Sequence, residues 1–343
     1  MGPGADAGVT VATAARAATD SVAGSVVIGR NEGERLRVCL ASLLSQTAMT
    51  VYVDSGSTDG SVDLARRLGA VVVELDMQLP FTAARARNAG LACLIASQPD
   101  VQLVQFVDGD CEVDPAWLAR ACAFIDLNTR VAAVCGRRRE RFPERSVYNL
   151  LCDLEWNTPI GEARACGGDV LMRVAALRQV GGYREDLIAG EEPELCIRLR
   201  GCGWRIWRID AEMTLHDAAM TRFGQWWQRS TRAGFAYAEG ARLHGAPPER
   251  HWVRESRSAW VWGVVIPLTV GACVVLWSTW SLLALAIYPA QMLRLFFRTS
   301  GALRTRAWRG FFLVLGKFAE AFGQGKFVAR GWVGGAPKLI EYK

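Results

Sequence analysis

The sequence has only three histidines, His216, His244 and His251, which argues against a histidine-rich metal centre. Its ten cysteines include no C-x-x-C pair and sit mostly in apolar surroundings, so they read as buried reduced thiols. That excludes a structural zinc site and a disulfide framework, and fits a cytosolic catalytic part. No zinc-finger or RNA-binding signature is present, which sets nucleic acid aside as a partner. Residues 1–24 lack a basic start followed by a long apolar core. They read as a loose, disordered leader rather than a cleavable signal. Charge is also missing from Ser258 to Leu293, 36 positions in a row.

What is present is a chain of 343 residues, 51% hydrophobic and 22% charged, long enough for a full core with an appendage. From Ser25 onward short apolar runs alternate with helical stretches. Strands are expected at Ser25–Ile28, Thr50–Val53, Ala70–Glu74 and Leu103–Val107, and helices at Gly33–Gln46, Gly60–Leu68, Ala83–Ala96 and Pro115–Ile125. That alternation predicts an α/β fold, a mostly parallel sheet flanked by helices. The run Arg137–Arg141 reads as an exposed, solvated edge, and a second ordered block runs from Gly167 through Trp207 with a helix at Glu194–Arg200.

The uncharged stretch is too long for one membrane pass, which takes about 20 apolar residues. Two segments, Trp260–Trp277 and Leu282–Phe297, are expected to form a hairpin around Ser278–Trp280. Pro267 and Pro289 leave room for a buried or in-plane helical pair instead. Arginines on both flanks place both ends in the cytoplasm. From Arg294 to Lys343 there are ten Lys or Arg against only Glu320 and Glu341, and Ala307–Val328 mixes Trp and Phe with basic residues as an interfacial helix does. The expected division is therefore leader 1–24, catalytic domain 25–245, membrane-associated hairpin 246–306, and amphipathic helix with basic tail 307–343.

Residues Leu103–Asp110 form an apolar strand that ends in two carboxylates, Asp108 and Asp110, with Gly109 between them; the acidic cluster Gly190-Glu191-Glu192 follows 80 positions after Asp110. Ligands of open α/β sheets bind beyond strand carboxyl ends, and hard oxygen donors there suit Mg²⁺ or Mn²⁺. Asp54 and Asn31 stand at two further strand ends; Asn31 has helix capping as its bland alternative, and Asp59 reads as a cap. An acidic first turn favoured by the helix dipole is the bland reading of Glu191, Glu192 and Glu194.

Five segments in order, Val26-Val-Ile-Gly-Arg-Asn-Glu32, Asp54-Ser-Gly-Ser-Thr-Asp-Gly60, Ala86-Arg-Asn-Ala-Gly90, Asp108-Gly-Asp110 and Gly190-Glu-Glu-Pro-Glu-Leu195, resemble the GT-A glycosyltransferases of family 2 over roughly Ser25 to Arg232. The resemblance implies a Rossmann-like GT-A domain. It implies that Asp54 contacts the nucleotide base and that Arg87 and Asn88 lie beside the nucleotide. It further implies that Asp108 is near the ribose and diphosphate, and that Asp110 coordinates the bridging metal. Glu192 stands where the family has Asp as general base, a departure of one methylene, with Glu191 as its neighbour. His216 is placed near the metal or diphosphate, with a structural hydrogen-bonding role as its alternative. The segment Gln225–Arg232 resembles the Gln-x-x-Arg-Trp motif of processive relatives with Trp and Arg out of order. Arg229 and Arg232 are candidates for phosphate charge there, and Trp226 and Trp227 for sugar, membrane or packing contacts. Asp169 matches a loop on the acceptor side.

The expected protein is a membrane-attached inverting glycosyltransferase with Mg²⁺ or Mn²⁺. It uses a nucleotide-sugar, UDP-linked, and a lipid-linked or membrane-proximal saccharide acceptor for cell-surface polysaccharide or glycolipid synthesis. Its expected place is the cytoplasmic face of the inner membrane, among partner proteins of a polysaccharide pathway. The alternatives are an inactive nucleotide-sugar-binding scaffold and a polyprenyl-phosphate glycosyltransferase.

Overall fold

The computed structural model describes residues 22–333; most of the expected leader and the last ten residues of the basic tail lie outside the described residues. The first half is the expected alternation: β1 (Ala23–Gly29), α1 (Glu34–Leu44), β2 (Thr50–Asp54), α2 (Ser61–Leu68), β3 (Val71–Glu74), α3 (Ala83–Ser97) and β4 (Leu103–Asp108). The chain order β3-β2-β1-β4 is parallel throughout. β1 begins two residues before the expected start because Ala23 and Gly24 pair with Leu103 and Val104. Alternate side chains serve opposite faces of this sheet. Val26, Ile28, Val51, Val53 and Phe106 enter one core, and Val27, Tyr52, Leu36, Leu40 and Trp117 enter the other. Both faces are therefore covered, which is why these strands read as unbroken apolar runs.

The second half departs from a parallel sheet. It comprises β5 (Cys111–Val113), α4 (Trp117–Leu127), β6 (Val131–Glu140), α5 (Val147–Glu155), β7 (Gly161–Ala163), β8 (Val170–Arg173), α6 (Val174–Val180), α7 (Glu191–Gly201) and β9 (Arg205–His216). β8 runs antiparallel to β4 and β6, and β9 is parallel to β6 but antiparallel to β5 and β7. The run Arg137–Arg141 was expected to be a solvated edge, and the structure corrects this. Arg137, Arg138 and Glu140 belong to the central strand β6, and Arg137 and Glu140 are buried. Each has partners in the fold: Arg137 pairs with Asp153 at 2.8 Å, and Glu140 accepts from Asn149 Nδ2 at 3.0 Å. Register shifts between Cys135 and Arg138 interrupt strict alternation here, and Arg139 stays exposed and pairs with Glu212.

After α8 (Phe223–His244) come the two apolar helices. The first, Val253–Leu276, joins α9 (Val253–Trp260) through a π-helical turn to α10 (Ile266–Leu276), and the second, Thr279–Arg298, ends in α11 (Ile287–Arg298). They have 24 and 20 residues, long and apolar enough to cross a membrane, and only 11% and 0% of their apolar windows are buried against protein. They begin earlier than expected and leave only two residues between them.

α12 (Leu303–Val333) then returns to the catalytic body and packs along α8. This modifies the expectation of a purely interfacial helix. Phe312, Val314, Ala319, Ala321 and Gln324 are buried, while Trp308, Phe311, Leu313 and Phe322 still face outward. Glycine permits the close approach: a Cβ on Gly234 would strike the Glu320 backbone, and one on Gly323 the backbone of Thr231 and Phe235. Gly323→Val is therefore expected to cost about 1–3 kcal/mol and lower the melting temperature in detergent. Gly325→Ala, where a Cβ meets nothing within 4 Å, should be neutral or slightly stabilising.

Candidate active site

The carboxyl ends of β1 and β4, the start of α7, and α5, α8 and α12 enclose one cavity of about 1120 Å³. Its wall carries Asn31, Arg87, Asp108, Gly109, Asp110, Glu191, Glu192, His216, Arg229 and Arg232 of the expected residues. Parallel register brings the ends of β1 and β4 level, with Ile28 opposite Asp108, so the loops after them open on the same side.

Arg87 organises the acids. Its side chain is 3% exposed, and its Nη1 lies 3.0 Å from Glu191 and 3.1 Å from Glu192 while Nη2 lies 3.0 Å from Asp108. One guanidinium on α3 thus ties the end of β4 to the first turn of α7, whose Glu191 lies 104 residues beyond Arg87. Burial and the neighbouring Glu191 push the Glu192 carboxyl up to about 7, against the opposing pull of Arg87. A carboxylate tuned there can accept a proton near neutral pH. Glu194, expected only to favour the helix dipole, is buried and held by Arg198 and His244. Gly168 is needed beside this cluster, since a Cβ there would meet Arg87 and lie 3.2 Å from the Asp108 carboxylate.

The second group forms around Asp110. β5 pairs with β9 so that Cys111 faces His216, which sets His216 Nε2 3.2 Å from Asp110 Oδ2. Asp110, Cys111 and His216 offer ligand atoms within 4.8 Å of one another. Burial and the Arg138 charge hold His216 below its ordinary value, so the ring is neutral, the form that ligates metals. Burial raises the Cys111 thiol well above its usual value, which leaves it an S–H donor toward Asp110 rather than a thiolate ligand. A buried carboxylate and a neutral imidazole fit a divalent cation such as Mn²⁺ or Mg²⁺. His216 Nδ1 is buried without a hydrogen bond, 3.6 Å from Glu140.

Several expected residues are placed differently. Asp54 does not line the cavity: it is 3% exposed, and its oxygens accept from Tyr52 OH and from the backbone N–H of Gly56 and Ser57, holding its own turn. Asn88 is also outside the wall and pins the loop at Tyr183 and Glu185. Asn31 lines the cavity but does not cap α1; its Oδ1 accepts from Thr58 N–H at 2.8 Å and joins two loops. Asp169 is no acceptor contact, since it is buried behind Asp108, accepting from the Asp108 backbone N–H at 3.1 Å and from Thr214 at 2.7 Å. Arg229 is held by two 2.8 Å bonds to Glu155. Trp226 packs against Phe312, ring centroids 4.8 Å apart, so packing is its main role.

Sequence reasoning missed Arg138, Glu140 and Trp156. Arg138 approaches Asp108 at 3.4 Å and Asp169 at 3.5 Å and stacks on Trp156, whose edge meets His216. The signal was the two-residue parity of Arg138 and Glu140 within a strand.

Residues 25–174 match the family model described as Glycosyl transferase family 2. The chain is 24% identical over 220 residues to the glycosyltransferase AglE of Haloferax volcanii, covering 60% of this chain and 69% of that protein. It is 28% identical over 216 residues to the succinoglycan biosynthesis protein ExoA of Rhizobium meliloti, covering 60% of this chain and 63% of that protein. The solved mannosyltransferase of Pyrobaculum calidifontis, in complex with GDP-Man and Mn²⁺, shares the fold at a TM-score of 0.60 and 19% identity, over 89% of this chain and 86% of that one. The family match and the named relatives define the class, a glycosyltransferase, and the fold is of GT-A type. Within it, this chain carries a Glycosyl transferase family 2 domain.

Removing the central cation should expose the cost of gathering three carboxylates. Arg87→Gln is expected to cost about 3–5 kcal/mol, because it leaves buried charges uncompensated. The lost pairing raises the folded-state carboxyl values above their unfolded ones, so the variant should be most stable at low pH and lose stability as pH rises. Thermal melting of both proteins between pH 5 and pH 8 checks the sign.

Proposed function

We propose that this chain transfers a sugar, with inversion, from a nucleotide-diphosphate sugar, UDP-linked, to a lipid-linked or membrane-proximal saccharide at the cytoplasmic face of the inner membrane. The observation that carries the reading is the shared wall: Glu192, Asp108 and the Asp110–His216 pair line one cavity, with Arg87 bridging the first two. The acceptor hydroxyl oxygen attacks the anomeric carbon, and its proton passes to Glu192. The bond from that carbon to the diphosphate oxygen breaks, and the nucleoside diphosphate leaves with the electron pair. A base opposite the leaving group makes this a single displacement.

Asp110 and His216 are the residues that would hold Mn²⁺ or Mg²⁺, with Asp108 beside the diphosphate. When bound, such an ion offsets charge on the departing diphosphate. The mannosyltransferase of the same fold is complexed with GDP-Man and Mn²⁺, which supports a nucleotide-sugar and a divalent ion here. The succinoglycan biosynthesis name of one relative supports a polysaccharide pathway with partner proteins. Two exposed apolar helices support attachment to the bilayer, where a cytosolic donor meets a membrane acceptor.

Two results are expected. Transfer from radiolabelled UDP-sugars into a membrane lipid fraction should fall by at least a hundredfold in Asp110→Ala and in Glu192→Gln, and transfer surviving in both variants would falsify the assignment. Glu140→Gln should weaken Mn²⁺ binding about tenfold, read by electron paramagnetic resonance, because the carboxylate beside Nδ1 orients the His216 ring.

A further inference from the structure

The segment that leads from the end of α8 into the first apolar helix lies against α7, the helix that begins with Glu191 and Glu192. Its residues reach α7 at three places. Trp252 sits on Gly190, immediately before the helix, where a Cβ would lie 2.7 Å from the indole ring. His244 meets Glu194 in the first turn at 3.1 Å. Glu249 pairs with Arg200 in the last turn and with Arg164 at 3.2 Å. The residues that precede α9 thus clamp α7 at both ends.

Strain is concentrated at one end of this clamp. Trp252 has a φ of 51°, and Arg250, two residues earlier, has a φ of 45°. A bulky side chain holds that left-handed backbone only where its surroundings over-determine it. The surroundings of Trp252 do so: its ring stacks on His251 with centroids 4.1 Å apart and meets the Tyr237 ring edge-on at 5.2 Å. It also fills the space over Gly240, where a Cβ would lie 2.5 Å from it. The Trp252 carbonyl accepts from Ser256 N–H at 2.8 Å and so opens α9. The same residue lines the cavity with Gly190, Glu191 and Glu192.

We infer that Trp252 is a positioning residue for the base: from the head of the first apolar helix it fixes the first turn of α7 and keeps water from the Glu192 carboxyl. This rests on the transferase reading above and adds a residue which that reading does not use. Facing Glu192 are Arg87 from α3 at 3.1 Å, Asp108 from β4 and Glu191 beside it, with Tyr183, Cys166 and Cys196 as further titratable neighbours. Facing Trp252 are Tyr237 from α8 and the adjacent His251. All the groups around Glu192 lie outside the clamp, so loss of the indole changes the water at Glu192 and leaves its charge partners in place. Water admitted there favours the ionised carboxylate and draws Glu192 from about 7 toward its ordinary value of 4.5.

The test is the pH profile of sugar transfer by the full chain in detergent, for wild type, Trp252→Leu and Trp252→Phe. In Trp252→Leu the rising limb should move down by about one pH unit and kcat should fall about tenfold, because the base is weaker and less well aimed. KM for the nucleotide-sugar should change less than about twofold. Trp252→Phe, which keeps a ring on Gly190, should restore most of the rate and the limb. Glu249→Gln, which loosens the far end of the clamp, should shift the limb the same way by less, and it decides the matter if Trp252→Leu does not fold. A limb that stays in place in the folded variants, or a loss carried by KM alone, overturns the inference, since Trp252 then acts as packing or as a substrate platform. Carbon-13 resonance of labelled glutamate, with Glu192 assigned through Glu192→Gln, follows the same carboxyl without turnover. If it titrates lower in Trp252→Leu while wild type transfers no sugar, the transferase reading fails and the placement of Trp252 over Glu192 stands. If it titrates alike in both proteins, the inference fails whatever the turnover.

Discussion

The site depends on one buried cation. Arg87 reaches Asp108 from one guanidinium nitrogen and Glu191 and Glu192 from the other, all within 3.1 Å. Three carboxylates from two distant elements cannot share a low-dielectric wall without such a charge. Arg138 assists from the opposite side of Asp108, and Asp169 steadies the backbone there. The arrangement divides labour by environment. Asp108 keeps two cationic neighbours, whereas Glu192, at the edge of the same cluster, is pushed toward neutrality by burial and by Glu191. In the proposed reaction, environment rather than residue type separates the diphosphate-side acid from the proton acceptor.

The second constraint is the return of α12. Glycines at 234 and 323 let it lie against α8, and this seats Phe312 against Trp226 and Tyr148 at the rim of the cavity. The two apolar helices are thereby joined to the chemistry by a rigid contact, with no loose linker between them. The membrane acceptor proposed above would need that coupling, because misplacing the acceptor hydroxyl by an ångström costs much of the rate.

The parallel half of the sheet was legible because each of its strands is a short apolar run closed by an acid or glycine. The helices between them followed from periodicity alone. The mixed half was not legible, because its strands carry charge whose partners lie far away in sequence. Glu140 and Arg138 looked like a solvated run only while Asn149, Trp156 and Asp169 could not be seen around them. The acids Asp108, Asp110 and Glu192 could be named from motif order, but the reach of His216 to Asp110 needed the pairing of β5 with β9 across more than a hundred residues. Asp54 and Asn88 show the reverse case. Their motifs are intact, yet the structure uses their side chains to hold turns and loops.

The central claim is that Glu192 sits in this cluster as the proton acceptor, tuned by burial and Glu191 against Arg87. The pH dependence of kcat/KM tests it most directly. The account predicts a rising limb centred at about 7, the value to which Glu192 is pushed, with the rate falling as the carboxylate protonates below it. In Glu192→Asp the limb should move while remaining present. A wild-type profile flat from pH 5 to pH 8, or a limb that stays in place when residue 192 is changed to Gln, would contradict it.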